Sequence, residues 1–116
     1  MPSESHPHQQ TVEKVLQLAA GVLSGEYPAL PAAHELVPCL RTLGLLEDPR
    51  FSFLAVVESE TEHLPILEAD RKNWLPGSLV GKKPDLDRAE LWCRDGVVEV
   101  CDALVSHLRS DGGGFA

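Results

Sequence analysis

Residues 85–109 read DLDRAELWCRDGVVEVCDALVSHLR, and this stretch decides the fold class. Leu86, Ala89, Cys93, Val97, Val100, Cys101, Leu104, Val105 and Leu108 recur at the three- and four-residue spacing that lines one side of an α-helix. Asp85 stands where a cap side chain accepts the first free N–H groups. Asp87 and Glu90 lie toward the positive end of the helix dipole, and His107 and Arg109 toward the negative end. Gly96 costs about 1 kcal/mol against alanine inside a helix, but its missing side chain suits a close helix approach. The spacing predicts one long amphipathic helix over about 85–109, which must bury its stripe against other elements.

The residues upstream supply those elements. Val12, Val15, Leu16, Ala19, Val22 and Leu23 predict a first helix over about Thr11–Ser24, with Thr11 as N-cap, Glu13 in the first turn and Gly25 as its stop. Ala33, Leu36, Val37, Leu40 and Leu43 predict a second over about Leu30–Leu43, opened by Pro31 and ended by Gly44. Pro38 lies inside it and removes a backbone bond, so a kink or break is expected near 34–37. Asp48-Pro49 reads as the N-cap and first position of a third helix carrying Phe51, Leu54, Ala55 and Val57 or Glu58 at helical spacing. The aromatic and β-branched residues of 51–57 also suit a buried strand, but no partner strand exists elsewhere in the sequence, which favours helix. Between Glu58 and Lys83, Pro65, Pro76, Gly77, Gly81 and Pro84 recur at or near every few positions and predict an irregular excursion, anchored by Ile66, Leu67, Trp74 and Leu75. The expected fold is all-α: a small bundle of four main helices with a long irregular crossover (about 58–83) before the last. Residues 1–10 are expected to be a flexible N-terminus, 11–109 a single helical domain and 110–116 a flexible tail.

With 116 residues, the chain is sized for one domain, and its 43% apolar content suffices for a packed core. It carries 18 acidic and 10 basic side chains, a net charge of −8. That balance opposes a general role in binding nucleic acid or anionic lipid, both of which need a positive surface. No apolar run approaches the roughly 18 residues of a membrane span. The apolar stretch 15–23 lacks the basic residues that precede a signal-peptide core, so a cytoplasmic protein is expected. The three cysteines, Cys39, Cys93 and Cys101, sit among apolar neighbours and cannot all pair. On one helix, Cys93 and Cys101 would stand about 12 Å apart, too far for a disulfide. Buried thiols are the expectation.

The densest polar cluster is Glu58-Ser59-Glu60-Thr61-Glu62-His63. Glu60 and His63 have the Glu-x-x-His spacing of di-metal carboxylate bundles, which use that motif twice; the sequence contains it once. Glu58, Glu60, Glu62 and His63 are therefore the candidate ligands of an alternative, metal-binding reading. Ser59 and His63 lack the Gly-x-Ser-x-Gly elbow of a hydrolase, and Gly77–Lys83 lacks the spacing of a phosphate loop. No catalytic residue and no cofactor is assigned. The plainer reading of the cluster is a solvated helix end, with Ser59 and Thr61 as local caps.

The run Ser59-Glu60-Thr61-Glu62-His63-Leu64-Pro65, followed by Arg71 and Trp74, resembles a group of small bacterial proteins that carry Ser-Glu-Thr-Asp-x-Leu-Pro, an arginine and then a tryptophan. Glu62 replaces the aspartate of that pattern. The resemblance covers about the middle third of the chain, implies a small helical domain and brings no catalytic residue with it.

These features lead to the expectation of a non-enzymatic acidic protein-binding module, of the immunity or antitoxin type, that neutralises a basic partner. Glu58, Glu60, Glu62, Asp70 and Trp74 are its candidate contacts. The alternatives are a metal-binding protein or metal-dependent enzyme built on the 58–63 cluster, and a self-associating module with an exposed apolar patch. The oligomeric state is not legible in the sequence.

Overall fold

A computed structural model describes residues 5–67, 71, 72 and 74–113, with side chains over 8–67, 71, 72 and 74–109. Among the described residues four helices run in order: α1 (Ser5–Ser24), α2 (Ala29–Leu43), α3 (Phe53–Thr61) and α4 (Pro76–Gly113). The described residues contain no strand. The chain is thus the all-α bundle of four helices that its apolar spacing predicts. α4 packs on α1, α2 and α3, and α2 also packs on α1 and α3.

Several boundaries differ from expectation. α1 begins at Ser5, so Thr11 lies inside the helix rather than capping it. Pro7 accounts for the difference: a proline in the first turn lacks an N–H that would have had no partner there. α2 passes through Pro38 without a break, and the proline faces solvent. α2 stops at Gly44, whose φ of 73° is left-handed and whose neighbour Leu45 sends its N–H back to the Leu40 carbonyl at 2.9 Å. Asp48 caps a turn that leads into α3 rather than α3 itself. Its Oδ1 accepts the Arg50 N–H at 2.9 Å, and its carbonyl accepts those of Phe51 and Ser52.

The crossover is shorter than 58–83. α3 continues to Thr61 and α4 already begins at Pro76, which leaves residues 62–75 to connect them. Pro76 opens a helix instead of ending one, Gly77 and Gly81 face open space, and Pro84 is carried within α4 on an exposed side. At its other end α4 runs past Arg109 to Gly113.

The core forms where the four stripes meet. Val15 and Ala19 of α1, Leu36 and Leu40 of α2, Leu54 and Val57 of α3, and Val97, Cys101 and Leu104 of α4 are all fully buried. Phe51, in the turn before α3, is the largest of these plugs. Gly96 permits a close approach, but of a ring rather than a helix backbone. A Cβ there would stand 2.4 Å from Cε2 of Phe53. No helix among the described residues is long and apolar enough to cross a membrane.

All three cysteines are free and buried. Burial pushes the Cys93 thiol up to about 11 and the Cys101 thiol up to about 12, and burial together with Glu35 pushes Tyr27 up to about 12. The folded chain therefore holds these protons more tightly than the unfolded chain, whose groups titrate from about 9. Their contribution to stability is complete below that pH and is lost as the pH rises through 9 to 12. The expected result is a lower urea midpoint at pH 10.5 than at pH 8 (approximate working values). An unchanged midpoint would contradict the burial of these groups.

Candidate functional site

The polar segment singled out by the sequence divides into an inner and an outer half. Thr61, Leu64, Pro65 and Ile66 are buried, whereas Ser59, Glu60, Glu62 and His63 are exposed. The inward Thr61 hydroxyl donates to the Val57 carbonyl at 2.6 Å and lies 2.7 Å from Nε2 of buried His34 on α2. A hydroxyl has one proton, already given to Val57, so His34 donates through Nε2–H. Thr61 thereby joins α3 to α2, a role for which its neighbours in sequence give no signal. Thr61→Val keeps the shape and strands the His34 N–H, so a loss of about 1–3 kcal/mol in urea denaturation is expected. A loss below 0.5 kcal/mol (an approximate threshold) would contradict the pairing.

Among the outward residues, Glu58 is half-buried and sits 4.0 Å from Arg41 of α2, a distant pair. Glu60 and Glu62 form no ion pair among the described residues. Trp74 is half-buried, with the Lys82 ammonium 5.9 Å from its ring centre; of the expected anchors of the connection, Ile66 is buried and Leu67 packs against the core, joined by Leu64 and Pro65, whereas Leu75 is exposed. Asp70 lies outside the described residues. The proposed metal ligands Glu58, Glu60, Glu62 and His63 are not gathered: among the described residues no three His, Cys, Asp or Glu side chains stand together as a metal site.

A cleft of about 660 Å³ opens elsewhere, between the α1–α2 turn and α4. Tyr27, Leu30, Ile66, Arg71, Glu90 and Arg94 contribute to its walls. Glu90 of α4 accepts the N–H groups of Ala29 and Leu30 on its two oxygens, each at 2.8 Å, and so caps α2 from a different helix. Arg94 stands 3.5 Å from the same carboxylate, Arg71 donates through Nε to the Pro65 carbonyl at 3.1 Å, and the Tyr27 hydroxyl donates to Glu35. The Glu90 contacts join α4 to α2, and the others hold neighbouring turns in place.

A third region lies along the seam of α3 and α4. Phe53 is half-buried, and Trp92 and Val56 are about half exposed; the two rings are 6.0 Å apart and inclined at 54°. Asp95, Glu99 and Asp102 follow Trp92 on the exposed side of α4, without an ion pair among the described residues. Family models, curated proteins and solved structures give no match to the chain. The resemblance carried by Ser59–Pro65, Arg71 and Trp74 thus rests on those residues alone. The seam had no signature in the sequence beyond Trp92 and three acids at helical spacing.

Proposed function

We propose that the chain is a non-enzymatic, acidic protein-binding module that neutralises a basic partner, in the manner of an immunity protein or antitoxin, and acts in the cytoplasm. The observation that supports this most directly is the outward acid of the α3 end: Glu60 and Glu62 are exposed and form no ion pair among the described residues. A net charge of −8 displayed on a rigid helical scaffold favours fast encounter with a basic surface and discourages acidic competitors. The three free thiols suit a reducing compartment.

The test is to capture the partner from the native host and to measure its affinity for the wild-type chain and for the Glu60→Lys/Glu62→Lys variant. Both positions are exposed, so the variant retains its fold while losing affinity by about tenfold or more. An undiminished affinity, or a partner of acidic character, would overturn the proposal.

A further inference from the structure

We propose that the partner docks on the seam between α3 and α4, and that the element it presents there is a basic amphipathic helix. This rests on the reading that the partner is a basic protein, and adds where it is held and by what. The two helices pass in opposite senses, with Phe51 against His107 and Phe53 against Trp92. Because Gly96 has no side chain, the Phe53 ring lies against α4 and keeps part of its surface in water. Val56, three residues on, is 47% exposed, and Trp92 is 51% exposed. Two aromatic rings and a branched aliphatic side chain on one face leave apolar surface that this chain does not cover itself. Tryptophan in such a setting is the side chain most often found at the energetic centre of an interface.

A groove of about 370 Å³ continues from the rings, walled by Pro49, Arg50, Phe53, Glu99, Val100 and Ala103. From Trp92 to Ala103 the seam is about 17 Å long, or three turns of a docked helix with apolar side chains at i, i+4 and i+7. The rim specifies charge. Asp95, Glu99 and Asp102 lie on the exposed side of α4, and Glu60, on the same face of α3 as Phe53 but about 10 Å further on, extends the acid past the Trp92 end of the seam. Two cations on these elements are engaged: Arg50 by both Asp48 oxygens and Arg88 by Asp85. A second copy of this chain does not suit the seam, because a two-fold pairing would bring the same acids against each other. An anionic membrane is opposed by the same rim.

The probe is a synthetic amphipathic peptide of about 18 residues, lysine and arginine on one face and leucine and tryptophan on the other. Its control has the same composition in scrambled order. Both are titrated into the full chain by heteronuclear NMR, with sedimentation of the chain alone in parallel. The expected result is saturable one-to-one binding with shifts grouped on Phe53, Val56, Trp92, Asp95 and Glu99. Trp92→Ala weakens it by about tenfold or more, and Asp95→Asn/Glu99→Gln weakens it and flattens its salt dependence. Equal binding of the scrambled peptide would overturn the helical element. Shifts confined to 60–74, with Trp92→Ala unaffected, would overturn the location while leaving the basic partner standing. A dimer dissolved by Trp92→Ala would assign the seam to a second copy and overturn the proposal. No binding of either peptide would overturn it together with the reading on which it rests.

Discussion

Replacing Phe51 with alanine will cost about 3–5 kcal/mol of folding stability, read as a fall in urea midpoint at unchanged slope. The side chain is fully buried where the turn before α3 meets α4. The His107 ring meets it edge-on with centres 5.7 Å apart, and the Arg50 guanidinium lies 4.8 Å above it. Truncation removes the whole ring from a site closed on several sides, so both transfer free energy and packing are lost. In a domain whose total stability is about 5–15 kcal/mol, this is a large fraction. Phe53, two residues away, gives the control. Its ring packs against the core and Gly96 but keeps an edge in water, so Phe53→Ala is expected to cost less, about 1–3 kcal/mol. A reversed order of the two variants would show that the assignment of Phe51 to the centre of the core and Phe53 to its edge is wrong.

The second large effect is expected at Glu90. Its two oxygens take the first N–H groups of α2, and the negative charge sits at the positive end of that helix. Hydrogen bonds to a charged acceptor are worth about 1.5–3 kcal/mol each, and water entering the open cleft recovers part of the loss. Glu90→Ala is therefore expected to destabilise by about 2–4 kcal/mol. Glu90→Gln distinguishes a two-oxygen clamp from a generic polar contact. It keeps size and shape, but its amide has one acceptor oxygen and turns an NH₂ toward the other N–H. It should cost more than half as much as alanine does, and amide exchange at Ala29 and Leu30 should quicken in both variants. A neutral Glu90→Gln would contradict the clamp.

The sequence revealed most where an element's stability is local and periodic. The centre of α4 was legible because its apolar residues recur along one side for several turns. Its start was not, because Pro76, Gly77 and Gly81 read as breakers although proline in a first turn favours a helix. The same principle hid Ser5 as the start of α1. Tertiary pairings were the least legible: Glu90 could be read only as an acid near a helix start, and its partners lie some 60 residues away. Thr61 looked like a local cap, while its partner His34 is on another helix. Of the candidate contacts, Glu60 and Glu62 are displayed in water, Glu58 leans toward Arg41 and Trp74 is half-covered beneath Lys82. Phe53 and Trp92 escaped notice as a surface because only the folded chain brings them side by side.

The most direct test of a displayed acidic surface is the rate at which the chain associates with the proposed basic partner as ionic strength is raised. Raising salt from about 0.01 M to 0.15 M shortens the screening length from about 30 Å to 8 Å, so charge steering should fade over that interval. The association rate constant is predicted to fall by about tenfold or more, with dissociation changing far less. Neutralising Glu60, Glu62, Asp95 and Glu99 together should flatten that dependence. An association rate indifferent to salt, and unmoved by removal of these four charges, would contradict the account.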